Sequence, residues 1–263
     1  MFPQTIFLYD GGWTKALHIP ELIDYLKKKT GSHVERRSDC LSTFKKSPQD
    51  TLEKIVLKLC SIRIRNIVAQ ETDCKPLPGE RAYEEKTLLD PTKRIPGILY
   101  EGFALQQFYF HLIPEEERKS DFLHIIFTNQ MFATWDRNDR RYHARASIYS
   151  YPSLISTTGL VEAPAKPREY YLKRQMGIHP EILKEEFRGS YLDYEDERLT
   201  EVMKGYVMQA FFFHMMGNPF CEDKRCRLFN AHWQEELIQA QLKTGSEFCT
   251  FHEDMLHKLK ADC

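Results

Sequence analysis

Short apolar runs closed by turn residues alternate along this chain with stretches in which apolar residues return every three or four positions. The first run, QTIFLY (4–9), predicts a strand closed by Asp10, Gly11 and Gly12. IPELIDYLKKKTG (19–31) predicts a helix, with Pro20 near its start and Gly31 just past its end. A second strand is expected around HVERR (33–37). SPQDTLEKIVLKLCSI (47–62) predicts a helix capped by Ser47, with Pro48 in its first turn. Its apolar stripe is Leu52, Ile55, Val56 and Leu59, and Cys60 is expected as a buried thiol. Residues 66–96 read as irregular, broken by KPLPGE (75–80) and LDPTKRIPG (89–97).

ILYEGFALQQFYFHLI (98–113) predicts a helix or a long amphipathic segment. DFLHIIFTNQ (121–130) is the clearest strand, a short apolar run suited to the centre of a sheet. ARASIYSYPSLIST (144–157) predicts one or two further strands, and APAKPREYY (163–171) a proline-marked connector. DERLTEVMKGYVMQAFFFHMMG (196–217) predicts a helix with Leu199, Met203, Tyr206, Val207, Ala210, Phe211 and His214 on one face. Gly217 should stop it, and Pro219 bars its resumption. A last helix is expected in AHWQEELIQAQLKTG (231–245). This order of elements predicts an α/β fold, a sheet with helices packed on it.

Composition narrows the function classes. Lys and Arg number 37 against 38 Asp and Glu, so bulk charge gives no reason to expect nucleic acid or an anionic membrane as partner. Arg137, Arg140, Arg141 and Arg145 cluster locally, but Asp136 and Asp139 interleave with them, so TNQMFATWDRNDRRYH (128–143) reads as a polar edge loop. The same segment follows a central strand, where α/β sites often lie, and an unrelated enzyme would use Asp136 and His143 there. The N-terminus shows no secretory pattern, and no window offers the roughly 18 apolar residues of a spanning helix. A cytoplasmic location is expected. No dinucleotide fingerprint, P-loop or nucleophile elbow is present, and DGG (10–12) is only a turn signal.

In a reducing compartment, seven cysteines, an odd number, do not predict a disulfide framework, and clustered thiols point to metal. Cys221 and Cys226 form C-x4-C; after 22 residues come Cys249 and His252, a C-x2-H pair. Zinc takes four N or S ligands at tetrahedral corners, and two close pairs on loops either side of a helical spacer can supply them. One structural zinc ion on Cys221, Cys226, Cys249 and His252 is therefore expected. A closed set of this kind has no open position for water, so it holds structure and does not catalyse.

Residues 198–256 resemble the C-terminal half of the archaemetzincin family of zinc metallopeptidases, whose pattern is HExxHxxGxxHC followed by further cysteine pairs. With Gly217 on the family's glycine and Cys221 on its closing cysteine, His214 falls on the second catalytic histidine. HIIFTNQMF (124–132) is similar to the family's central strand and edge segment. The resemblance implies a metzincin-like mixed sheet in one domain over 1–263, with 1–97 divergent and 218–257 a structural-zinc segment. It covers 98–257 best and points to an archaeal or bacterial cytoplasm. Where the pattern requires the first histidine, the general-base glutamate and the third histidine, this chain has Ala210, Phe211 and Phe220. His214 is then vestigial, a hydrogen-bonded histidine on an apolar face. The resemblance thus implies a zinc-stabilised pseudo-peptidase with a possible peptide or protein partner. The alternative is an active zinc hydrolase using unconventional ligands, such as His214 with His143 or His179. Phe211, Phe212, Phe213, Met215 and Met216 pack around the former metal position, which is expected as solid core or, alternatively, as an apolar pocket suited to a peptide or a partner's side chain.

Overall fold

The computed structural model describes residues 2–44, 52–70, 75–95 and 97–261. Strand β1 (Thr5–Asp10) is followed by helix α1 (Ile19–Thr30) and strand β2 (His33–Ser38). Gly31 ends α1 in the left-handed region at φ 80°. Helices α2 (Cys40–Phe44) and α3 (Leu52–Ser61) come next. The expected cap Ser47 and Pro48 lie outside the described residues, while the stripe of α3 is buried at Ile55, Val56 and Leu59.

Residues 66–96 are not irregular throughout. After β3 (Arg63–Ile64), helix α4 (Pro78–Leu89) runs through this region. Its sequence has no apolar stripe, and other forces hold it. Pro78 starts it, and the Glu80 carboxylate accepts the Leu77 N–H at 3.0 Å. Arg65 pairs with Glu80 at 2.7 Å, and Arg63 Nε lies 3.0 Å from the fully buried Glu84. Tyr100 Oη donates to that carboxylate at 2.9 Å. A helix tied by ion pairs leaves no periodic apolar signal. The segment 98–113 also divides: β4 (Leu99–Glu101) precedes α5 (Gly102–Leu112), whose cap is the Glu101 carboxylate accepting the Ala104 N–H at 2.6 Å.

β5 (Phe122–Thr128) is central, as its apolar run requires. The expected polar loop after it is a hairpin of β6 (Met131–Asp136) and β7 (Arg141–Arg145), paired antiparallel with Thr134 opposite His143. The remaining elements are β8 (Ser147–Ile148), β9 (Ser153–Ser156), α6 (Thr157–Glu162), α7 (Arg168–Gln175), α8 (Pro180–Glu186), α9 (Leu199–Met216), α10 (Gln234–Leu242) and α11 (Thr250–Ala261).

Two sheets result. The larger has the order β2-β1-β5-β9-β8, in which the first four strands are parallel and β8 is antiparallel. The smaller, β3-β4-β6-β7, is mixed. Side chains alternate across β1 and β5. Ile6, Leu8, Ile125 and Phe127 join one core with α1 and α9. Phe7, Tyr9 and Ile126 join another with α3 and α5. The fold is therefore mixed α/β, with helices on both faces of a mostly parallel sheet, as expected.

One polar chain crosses the second core. Arg37 grips the Glu117 carboxylate with two bonds of 2.7 and 2.9 Å and donates to Tyr9 Oη at 3.0 Å. Tyr9 Oη donates to His124 Nδ1 at 2.9 Å, and His124 Nε2–H meets the Glu117 carbonyl at 3.2 Å. His124 is fully buried, and burial lowers its pKa to about 4. An unfolded histidine takes its proton near 6.5. Between those values the unfolded chain binds more protons, so stability falls as pH drops from about 6.5 towards 4. The expected loss is about 3 kcal/mol, read from urea unfolding at a series of pH values. His124→Gln should be less stable at neutral pH and show a flatter profile in that window; an unchanged slope would contradict the assignment.

Gly205 lets α10 pack closely on α9. A Cβ there would lie 2.0 Å from Gln241 Oε1, and Gln241 is buried with its Nε2 donating to the Arg227 carbonyl at 2.8 Å. Gly205→Ala is expected to destabilise by roughly 1–3 kcal/mol despite its better helix propensity. Adding Gln241→Ala removes the clash, so the double variant should lose less than the sum of the two.

Candidate metal centre and the adjoining cleft

Helix α9 ends as its sequence directs. Gly217 sits at φ 75°, and its N–H donates to the Phe213 carbonyl at 2.7 Å. The chain then turns through Asn218 and Pro219 into a tight loop. Cys221 N–H donates to the Leu228 carbonyl at 2.9 Å, and Cys226 N–H to the Asp223 carbonyl at 2.9 Å. The Asp223 N–H points at Cys221 Sγ at 3.4 Å. The two thiols of C-x4-C are thereby turned to one side. The second pair arrives differently from the expected loop. Cys249 immediately precedes α11 and His252 lies in its first turn, so helical spacing places both donors together.

The four predicted residues converge. One ligand atom from each of Cys221, Cys226, Cys249 and His252 lies within 4.8 Å of all the others. Cys221 Sγ and Cys249 Sγ are 3.8 Å apart, Cys226 Sγ and His252 Nδ1 3.9 Å, and Cys249 Sγ and His252 Nδ1 3.0 Å. Sulfurs about 2.3 Å from a tetrahedral ion stand roughly 3.8 Å from one another, so the donor set fits zinc. Burial pushes the Cys221 and Cys226 thiols up and lowers the His252 imidazole. A cation at this point would reverse the cost for the thiols by stabilising their thiolates. The cluster is walled by apolar groups: Phe212 of α9 meets the His252 ring edge-on at 4.9 Å. Glu247 ties the same segment to α1, through Lys29 at 2.6 Å and the Tyr25 hydroxyl at 3.2 Å.

The other candidates fall elsewhere. His214 Nε2–H donates to the Ser120 carbonyl at 2.7 Å, and burial lowers its pKa. His143 lies 2.8 Å from Asp139 on the β6–β7 hairpin, and His179 caps α8, its Nδ1 3.4 Å from the Glu181 N–H. Neither is grouped with His214. Asp136, Asp139 and His143 do form a second group whose ligand atoms lie within 4.8 Å of one another.

Of the two alternatives for the aromatic end of α9, core and pocket, the structure has both side by side. Ala210, Phe211 and Phe212 are fully buried, as core packing requires. One helical step away, however, a cleft of about 450 Å³ opens between α9, the 144–149 segment and the loop after Pro219. Its walls include Tyr206, Gln209, Phe213, Tyr149 and Phe220. Positions 206, 209 and 213 share one helix face, and Phe211 points roughly opposite to 209 and 213. The Tyr149 hydroxyl donates to Gln209 Oε1, and Gln209 Nε2 donates to the Phe229 carbonyl at 3.3 Å. Tyr149 and Phe220 meet edge-on at 5.8 Å. The signal that could have located this cleft is Gln209 itself, a lone amide in an otherwise apolar stretch of the helix.

A solved structure similar to this chain is that of a zinc-dependent peptidase from Methanocorpusculum labreanum (strain Z). Identity is 12%, the match covers 96% of this chain and 99% of that one, and the TM-score is 0.43. No curated protein matches the chain. A family model described as "Probable metallopeptidase family (DUF6775)" matches residues 2–259. On that match, which spans nearly the whole sequence, the chain belongs to this metallopeptidase family.

Proposed function

We propose that the chain is a non-catalytic, archaemetzincin-like member of its family, in which Cys221, Cys226, Cys249 and His252 hold one structural zinc ion. In this reading the cleft beside α9 receives a peptide or protein segment. One observation carries it: four N/S donors meet at a single point, while the walls of the neighbouring cleft offer no such set. A zinc peptidase needs three protein ligands, a metal-activated water and a base for its proton. Tyr206, Gln209, Phe213 and Phe220 supply no ligand, and His232, the one histidine in the lining, is a single imidazole and not a ligand set. The first four supply aromatic surface and one amide, which suit the side chains and backbone of a peptide. The bound ion would crosslink the 221–229 loop to the start of α11, and α11 to the body of the protein through Phe212. Thiolate ligands suit a reducing compartment such as the cytoplasm. Among the described residues no helix is long and apolar enough to cross a membrane.

The second reading, an active hydrolase with unconventional ligands, draws on Asp136, Asp139 and His143. It requires a second ion on the hairpin, remote from the Cys/His cluster in the sequence.

Metal content separates the two. The purified full chain should carry one zinc per molecule. Cys249→Ser should lose the ion and melt lower by on the order of 10 °C. His214→Ala should retain the ion and lose about 1 kcal/mol with its bond to Ser120. Stoichiometric zinc retained in Cys249→Ser refutes the ligand assignment.

Hydrolysis of a casein substrate should show no component that a chelator removes. Two ions per chain, with chelator-sensitive turnover abolished by His143→Ala, would establish the second reading instead.

A further inference from the structure

A second crevice lies far along the sequence from the Cys221–His252 cluster, at the carboxyl ends of the parallel strands. From β1 the chain passes through α1 to β2 on one side; from β5 it passes to β9 on the other. The order therefore reverses between β1 and β5, and open α/β sheets bind ligands in the crevice outside such a switch point. Here the crevice exists. A pocket of about 100 Å³ lies over the ends of β1 and β5, next to one of about 220 Å³, and the two share Trp13, Arg94 and Asn129.

The DGG turn builds its floor. A Cβ on Gly11 would lie 2.5 Å from the Phe127 carbonyl oxygen, and one on Gly12 2.9 Å from Leu17 and 3.0 Å from Thr157. Only glycine lets this backbone approach β5 and α6 so closely. Trp13 follows at φ 51°, a left-handed conformation unusual for a bulky residue, and remains 43% exposed at the rim.

Two donors in this crevice lack partners among the described residues. Gln130 is 1% exposed; its Oε1 accepts from the Tyr109 hydroxyl at 2.6 Å, but its Nε2 has no acceptor. Arg94 donates from Nη1 to the Tyr100 hydroxyl at 3.0 Å, but its buried Nε is unpaired. Arg94 forms no ion pair with a carboxylate among the described residues; Glu84, paired with Arg63, acts on it at longer range. A buried amide donor and a buried guanidinium N–H without acceptors each carry a free-energy cost that an acceptor with negative charge removes.

We propose that this crevice binds a small carboxylic acid, its carboxylate on Arg94 and Gln130 and its carbon chain against Trp13. Asp39 shares the wall of the smaller pocket, which favours a singly charged carboxylate over a doubly charged phosphate. The available volume limits the ligand to about the size of a four-carbon acid.

The test is calorimetric titration of the full chain with butyrate, with inorganic phosphate at matched ionic strength as comparator. Saturable binding of one butyrate per chain is expected, with phosphate weaker. Arg94→Ala should weaken butyrate binding about tenfold or more. Trp13→Ala, at an exposed position, should weaken it several-fold and serves if Arg94→Ala fails to fold. The exposed Arg225→Ala, beside Cys226, should leave it unchanged. Absence of saturable butyrate binding overturns the proposal, as does binding unaffected by both crevice variants. Phosphate binding tighter than butyrate overturns the carboxylate assignment.

Discussion

Helix α9 is enclosed almost completely from Leu199 to Phe212, and that enclosure constrains everything packed around it. Val202, Met203, Val207, Met208, Ala210, Phe211 and Phe212 are fully buried, and together they point in several directions around the helix. An all-round apolar helix of this kind must be surrounded by other elements. The sheet covers one side, α1 and α10 cover others, and the cysteine-bearing segment closes the end near Phe212. The rare polar groups on the helix are accommodated by satisfying them. Gln209 is bonded to Tyr149 and Phe229, and the Thr200 hydroxyl donates to the Ala16 carbonyl at 2.7 Å. A charged or water-bearing catalytic group at 210 or 211 would have no comparable partner.

Much of the fold was legible because its strongest elements carry apolar runs or stripes of definite length. β1, β5, α1 and α9 each have such a pattern, and the two helices end in Gly31 and Gly217 at the positive φ such ends require. What was not legible lacks that pattern for a physical reason. α4 is stabilised by Arg63, Arg65, Glu80 and Glu84, so its sequence resembles a solvated loop. The β6–β7 hairpin places charged residues at its tip, where Asp136 Oδ1 accepts the N–H groups of Asn138 and Asp139 at 2.7 and 3.1 Å. Polarity there reports the turn and hides the strands on either side.

The Cys/His group was legible as a set because thiols and imidazole at close sequence spacing have few other reasons to assemble where the described cysteines are free thiols. The cleft was not. A motif alignment assigns roles by residue number, whereas a helix assigns them by angle. Two residues separate Phe211 from Gln209 and from Phe213, a small change in sequence that brings each of them roughly to the opposite side of the axis. Phe211 is therefore enclosed by the core, while Gln209 and Phe213 line the cleft.

The cluster and the enclosed helix are also coupled in energy. Without a cation, buried thiols keep their protons and behave as small apolar groups, which the surrounding phenylalanines tolerate. Metal binding must remove those protons, so the stabilisation a zinc ion supplies grows as pH rises. The protonated thiol cluster is thus compatible with its apolar surroundings, and a bound zinc, as proposed, would replace those protons with a crosslink. Phe212 touches His252 directly, so the cluster packs against α9, the helix against which the cleft is built.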